Sequence, residues 1–359
     1  SKAVSSRPTH PILANLLLTA DQGTNKISLT GFDLNLGIQT SFDATVKKSG
    51  AITIPSKLLS EIVNKLPNET PISLYVDENS DNILIKSDRG SFNLKGIPSD
   101  DYPNLPFVES GTTSLNIDPS SFLKALKSTI FASSNDDSKQ LLTGVNFTFK
   151  QNYLESASTD GHRLSLSTAS QDNSLDEPVN CIIPRNCVVE IKRILSTFKD
   201  NKEHLAEFSI KKGEIIFRIS DYIIKSKLIE GNYPDYNKVF PESLPHKLSV
   251  DKEELKSALQ RMSILSNEQF KGVKLSLSKT EIMITTNNPS QEEGEDSVSC
   301  QYTGDELEIG FNLTYLLEAI DVIASEKVAF QLNNADSGCL ISSDSNDPQN
   351  KYIIMPMRV

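Results

Sequence analysis

The sequence predicts an α+β fold made of three copies of one domain, each carrying two helices on one face of a mainly antiparallel sheet. Three observations predict it. A strand, an Asp cap and an amphipathic helix follow one another at Asn116-Ile117-Asp118-Pro119 and again at Ser249-Val250-Asp251-Lys252. A second helix pattern starts at Ile54-Pro55, Ile183-Pro184 and Phe311-Asn312, so that Pro184 follows Pro55 by 129 residues and Asn312 follows Pro184 by 128. The first two copies close on matching stretches, Asp101-Tyr102-Pro103-Asn104 and Asn232-Tyr233-Pro234-Asp235. Several echoes in one order at near-constant spacing mark a repeated unit, and helices alternating with hairpin-connected strands give a layered α+β domain.

Each element has a local cause. In copies two and three the first helix starts at an Asp whose carboxylate can cap free N–H groups, and Pro119 fits the first helical position. A strand follows at 142–149 and at 272–277, with 11–18 as its counterpart in copy one. A second strand and turn come next, at 27–33, 154–161 and 282–288, which sets Thr30-Gly31, Asp160-Gly161 and Thr286-Asn287 at one turn. Copy one lacks an opening helix and strand, and residues 1–6 read as the tail of that helix. Pro-rich stretches at 106–108 and 241–245 give domains 1–108, 109–243 and 244–359.

The bulk properties narrow the function classes. With 359 residues, 37% hydrophobic and 23% charged, the chain is long enough for several cores. It holds no apolar run of the ~20 residues that a membrane span needs. No secretory segment is evident, and Cys181, Cys187, Cys300 and Cys339 are scattered without a CxxC pair. A reducing, cytoplasmic setting without structural zinc or another cofactor fits that usage. The net charge of −11 argues against holding nucleic acid by bulk positive charge, and leaves room for a local basic lining.

One hairpin carries unusual chemistry. Asp160-Gly161 between apolar runs is a turn signal, and His162 and Arg163 follow it directly. Asp160 and His162 could form a general acid/base pair, but Asp is also what such a turn selects. P-loop, GxGxxG, HExxH and GxSxG patterns are absent. The acidic run Glu292-Glu293-Gly294-Glu295-Asp296 lacks the spacing of a Ca²⁺ loop and suits a solvated loop or half of a charged interface. Basic residues recur on the helices: Lys57 and Lys65, Lys124 and Lys127, Arg185, Lys192 and Arg193, then Lys252, Lys256 and Arg261. They are solvated faces or a lining for a polyanion. The last residues, Met355-Pro356-Met357-Arg358-Val359, form an apolar end that reads as a pinned strand or an adaptable pocket wall.

Together, Arg7-Pro8-Thr9-His10-Pro11-Ile12-Leu13, Thr159-Asp160-Gly161-His162-Arg163-Leu164, Ile264-Leu265-Ser266-Asn267-Glu268, Asn287-Asn288-Pro289 and Met355-Pro356-Met357-Arg358 resemble the bacterial DNA polymerase III beta subunit family, the beta sliding clamps. The resemblance runs from Arg7 to Val359 in one register. It implies three DNA-clamp domains per chain, a head-to-tail dimeric ring of six domains around double-stranded DNA, and a non-catalytic role in polymerase processivity. The implied partners are the DNA polymerase III alpha subunit, the clamp-loader delta subunit, and other polymerases and repair proteins that carry clamp-binding peptides. A ring holds DNA by topology, so weak, salt-sensitive phosphate contacts suffice and permit sliding.

The resemblance also implies sites. The partner-peptide cleft would comprise Leu142, Thr159, Gly161, His162, Arg163, Leu164, Pro234, Val239, Phe270, Asn312, Tyr315, Met355, Pro356, Met357, Arg358 and Val359. Lys238 stands where the family often has Arg, and Val359 where it often has Leu. At the dimer seam Phe92 and Leu94 would meet Ile264 and Leu265, while Lys86, Arg89 and Lys95 face Glu292, Glu293 and Glu295. Arg7 matches a DNA-contacting position, and Lys65 and Lys139 lie near others, although Gln140-Leu141 replaces an aromatic pair. With the helix cations, the DNA-facing set becomes Arg7, Lys65, Lys124, Lys127, Lys139, Arg185, Lys192, Lys252 and Lys256. Two other readings stand beside this one: a hydrolase using Asp160 and His162, and a repeat scaffold with no DNA role.

Overall fold

The computed structural model describes residues 3–4, 10–77, 80–105, 113–171, 175, 177–198, 205–211, 213–241, 243–265, 271–288, 292–345 and 349–358. Copy one runs β1 (Asn15–Asp21), β2 (Lys26–Phe32), β3 (Leu36–Asp43), β4 (Gly50–Pro55), α1 (Ser56–Lys65), β5 (Ser73–Asp77), β6 (Asn82–Lys86), β7 (Ser91–Lys95) and the short β8 (Ile97–Pro98). Copy two prefixes a strand and helix, β9 (Thr113–Ile117) and α2 (Pro119–Thr129). It continues with β10 (Gly144–Phe149), β11 (Tyr153–Thr159), β12 (Arg163–Ser170), β13 (Val179–Pro184), α3 (Arg185–Thr197), β14 (Ala206–Lys211), β15 (Glu214–Ile219) and β16 (Tyr222–Lys227). Copy three repeats that order: β17 (His246–Asp251), α4 (Lys252–Met262), β18 (Gly272–Leu277), β19 (Glu281–Asn287), β20 (Glu293–Tyr302), β21 (Leu307–Asn312), α5 (Leu313–Val322), β22 (Lys327–Leu332), β23 (Cys339–Ser343) and β24 (Asn350–Ile354).

The expected Asp cap forms in copy three, and the structure adds an Asn cap at the start of its second helix. Asp251 accepts the N–H of Glu254 at 2.9 Å to start α4, and Asn312 accepts those of Thr314 and Tyr315 at 3.0 and 3.3 Å to start α5. Each helix then buries one stripe, with Leu255, Ala258, Leu259 and Met262 on α4 and Leu313, Leu316, Ala319 and Ile320 on α5. These stripes close one continuous core with Val273, Phe311, Phe330 and Tyr352.

The chain divides into two compact units: Ser1–Pro119 with Arg193–Leu228, and Ser120–Lys192 with Ile229–Val359. In the first unit a nine-stranded sheet, β8-β4-β1-β2-β3-β16-β15-β14-β9, runs from copy one into copy two, beside a three-stranded sheet β5-β6-β7. In the second, a twelve-stranded sheet, β13-β10-β11-β12-β24-β23-β22-β17-β20-β19-β18-β21, runs from copy two into copy three.

The two junctions share one register. Through their ladders, Gln39, Leu166 and Glu295 occupy equivalent positions, because their hairpin partners Thr30, Ala157 and Thr285 face Leu17, Asn146 and Lys274. Gln39 pairs with Ile223 and Leu166 with Lys351, which are themselves equivalent. The same register corrects the expected turn alignment. Thr159 corresponds to Phe32 and Asn287, so the turn in copy one follows Phe32 rather than lying at Thr30-Gly31. Strand β10 also begins at Gly144, and Leu142 lies in a 3₁₀ stretch, Asp137–Thr143, instead of opening the strand.

Candidate partner-binding cleft

The turn between β11 and β12 is held by its own side chains. Asp160 Oδ1 accepts the N–H groups of His162 and Arg163 at 2.9 and 3.1 Å. Thr159 Oγ1 accepts from the Gly161 N–H at 3.1 Å. Gly161 has φ +95°, a left-handed conformation that disfavours any Cβ. Lys139 Nζ donates to the Asp160 carbonyl at 3.1 Å. The Tyr233 hydroxyl accepts the Thr159 N–H at 3.0 Å, and burial raises that phenol well above its ordinary pKa.

Beside this turn lies a separate apolar cluster. Ala157, Leu164, Tyr236, Leu340 and Ile353 are buried in it, and Leu166, Tyr233, Phe240 and Leu244 pack half-buried against them. Leu164 and Ile353 face each other in the β12–β24 ladder. Val239, Met355 and Met357 stay 43%, 39% and 41% exposed. The C-terminal strap is pinned at two points. Met355 N–H donates to the His162 carbonyl and Met357 N–H to the Gly310 carbonyl, both at 2.9 Å. Pro356 between them has no N–H to offer.

Arg163 lies under this surface, its side chain 8% exposed. Its Nε donates to Asp160 Oδ2 at 3.1 Å, Nη2 to the Phe131 carbonyl at 2.8 Å, and Nη1 to Glu318 Oε2. The guanidinium carbon sits 4.2 Å from the Tyr315 ring centroid and 5.3 Å from that of Phe131. Asp160 is therefore consumed by the turn and by Arg163, and is not free to serve His162 as an acid/base partner. Asn312 likewise spends its side-chain oxygen on the α5 cap.

The expected cleft residues Thr159, Gly161, His162, Arg163, Leu164, Tyr315, Met355 and Met357 gather around this turn and strap. Pro234 and Arg358 are exposed, and Pro356 and Leu142 are half-buried, with the Leu142 carbonyl accepting from Ser134. Phe270, Val359 and Arg7 lie outside the described residues. Sequence reasoning missed Tyr233, Phe240, Leu244, Leu340, Ile353 and Glu318. Only Tyr233 had left a signal, in its repeated Tyr-Pro pair. The equivalent place in the first junction is filled: Gly37 faces Lys225, which is buried and paired with Glu214 at 3.0 Å, and a Leu105 methyl lies 3.1 Å from where a Gly37 Cβ would be.

The cations expected to face DNA divide into two sets. Lys65, Lys124 and Lys127 are exposed, and Lys192 is half-buried. Others are committed inside the chain. Lys252 Nζ donates to the Ile323 carbonyl at the end of α5 at 2.7 Å, and Lys256 pairs with Asp321 at 2.6 Å. These positions complement the negative end of that helix. Arg185 donates to the Ser133 carbonyl and to Asn135 Oδ1, and Lys139 serves the turn.

At the expected seam, Leu94 is buried with Ile83 and Ile85 in copy one's own core. Phe92 is half-buried, Arg89 exposed, and Lys86 lies over the Tyr75 ring at 5.6 Å. Lys95 donates to the Ser80 carbonyl. Ile264 is 79% exposed, and Leu265 half-buried. Glu293 and Glu295 are exposed, Glu292 accepts from Asn288, and Asp296 pairs with Arg261 at 2.6 Å.

Three α+β repeats of one order, joined pairwise through continuous antiparallel sheets, define a repeat protein of the DNA-clamp class. Residues 1–106, 116–235 and 237–358 match the N-terminal, central and C-terminal domains of the DNA polymerase III beta subunit. The beta sliding clamp of Synechococcus elongatus is 35% identical over 364 residues, covering 100% of this chain and 95% of the relative. The crystal structure of the sliding clamp from Bartonella birtlesii bound to griselimycin superposes with a TM-score of 0.91 at 33% identity, covering 100% of this chain and 95% of that one. The clamp from Bacillus subtilis gives 0.90 at 30% identity, with 100% and 94% covered. The chain belongs to the DNA polymerase III beta subunit family of beta sliding clamps, a family of non-catalytic processivity factors.

Proposed function

We propose that two copies of this chain close head to tail around duplex DNA, and that the cleft captures short apolar peptides from polymerases and clamp-loading proteins. One observation carries the ring. Two junctions within the chain join the third strand of one copy's hairpin sheet to the last strand of the next copy in one register: β3 to β16 and β12 to β24. The corresponding third pair is β20 and β7, and the β20 edge at Glu293–Ser297 and the outer β7 edge have no strand partner among the described residues. A second copy supplies each edge with the other. The ladders of β7 and β16 align Ser91 with Ile223, because Ile97 faces Thr53 as Ile229 faces Ile182. The register therefore sets Ser91 opposite Glu295, Phe92 opposite Gly294 and Asn93 opposite Glu293 of the second copy. Phe92 then lies against the one residue without a side chain, beside Leu265 and Met262. Exposed Glu293 and Glu295 meet an edge flanked by Lys86 and Arg89, which favours opposite charges across the seam.

For the cleft, support comes from an apolar floor with two exposed methionines on its rim and backbone-fixed polar groups at its edge. DNA is held topologically, with exposed Lys65, Lys124 and Lys127 making weak contacts.

Ser91→Cys with Glu295→Cys is the test. Oxidation should cross-link two chains through directly opposed residues, and the closed ring should stay on circular DNA until the circle is cut. Equal cross-linking of Ser91→Cys with Glu293→Cys overturns the register. Equal loss from circular and linear DNA overturns encirclement.

A further inference from the structure

We infer that Glu318 is a positioning residue for the cleft, acting through Arg163 to hold the C-terminal strap against the β11–β12 turn; this rests on the proposed peptide capture. The two acidic groups on Arg163 differ in surroundings. Asp160 is 14% exposed and belongs to the turn, while Glu318 is 41% exposed and belongs to α5. Tyr315 and Glu318 lie one turn apart on α5, so one helix face supplies both a ring stacked on the guanidinium and a carboxylate at its end.

From Glu318 the connection runs to the strap through fixed groups. Nη1 of Arg163 is held by Glu318, which directs Nε at Asp160 Oδ2. The other Asp160 oxygen fixes the N–H groups of His162 and Arg163. The His162 carbonyl receives the Met355 N–H, and the next ladder pair is Arg163 with Ile354. Met357, which forms the exposed rim, is tied separately to Gly310. Loss of Glu318 leaves the buried guanidinium paired with Asp160 and the Phe131 carbonyl, so the chain still folds. The guanidinium loses its anchor on α5, and the turn and strap loosen together.

Glu318→Ala and Glu318→Gln in the full chain test this, with a synthetic Gln-Leu-Ser-Leu-Phe peptide as probe. Glu318→Ala should weaken peptide binding about tenfold. It should speed amide exchange at Met355 while leaving Met357 unchanged, with the melting temperature held within about 2 °C. Glu318→Gln keeps an acceptor oxygen and should recover part of both effects. Unchanged affinity together with unchanged Met355 exchange overturns the inference. So does a general loss of stability in which Met355 and Met357 exchange faster together, since that marks a merely structural role. A wild-type chain that binds no peptide overturns peptide capture instead. Met355 exchange then decides the inference alone, faster exchange in Glu318→Ala supporting it and unchanged exchange overturning it.

Discussion

The backbone N–H of Met355 donates to the carbonyl of His162 at 2.9 Å. This single bond joins the last strand of copy three to the turn of copy two, and it carries the β12–β24 ladder beyond the Arg163–Ile354 pair. With the Met357–Gly310 bond, it fixes the backbone of the C-terminal strap instead of leaving it a loose tail.

Met357 is 41% exposed, so part of its side chain is available to a ligand. Full burial of a Met side chain contributes about 1.5–3 kcal/mol. Only the exposed part can be newly buried, so Met357→Ala should weaken peptide binding several-fold, by about 1 kcal/mol, while thermal stability stays within about 2 °C. Titration calorimetry against the peptide checks the first and a melting curve the second.

Tyr233→Phe removes the hydroxyl that accepts the Thr159 N–H. The stranded donor should cost about 1 kcal/mol of folding stability, read as a lower denaturant midpoint at unchanged slope. Leu340 and Ile353 keep their packing, so peptide affinity should fall less than with Met357→Ala.

The Arg261 guanidinium beside Asp296 holds that carboxyl below the ordinary aspartate range, chiefly through their hydrogen bond. A depressed folded pKa means that the stabilisation is fully present above the unfolded value of about 3.9 and is lost as pH falls through the lower folded value. Wild type should lose stability over that acid window, and Asp296→Asn should lack this component. An acid titration of the unfolding free energy of both proteins measures it. Equal slopes below pH ~4 would show that the pair contributes nothing.

Burial pushes the Cys181 thiol up to about 12, raises Cys339 further, and raises half-buried Cys300 less. Because the thiolate is the nucleophile, iodoacetamide should label Cys300 first in the native protein. Cys181, Cys187 and Cys339 should follow only on unfolding. Mass spectrometry of native and denatured samples resolves the order.

Asp251 and Asp160-Gly161 were legible in the sequence because a cap or a turn is made by residues two to four apart. Glu318 was not legible. It reaches Arg163 across 155 residues, and nothing on its own helix distinguishes it from a solvated glutamate. The surroundings of the lysines were not legible for the same reason. Lys252 and Lys124 both lie on the first helix of their repeat, yet one donates to a helix end and the other is exposed.

The sequence by itself determined three repeats, the start of each helix and the turn at Asp160-Gly161, because caps, turn residues and apolar periodicity act within a few residues along the chain. Tertiary structure alone decided that Leu340 and Ile353 pack with Leu164 beside the Asp160-Gly161 turn, that Arg163 is buried rather than presented, and that the first junction is filled by Lys225 and Leu105. Those outcomes depend on which strands of different repeats pair and in what register. That choice is set by the summed burial across the sheet, and no short stretch of sequence carries it.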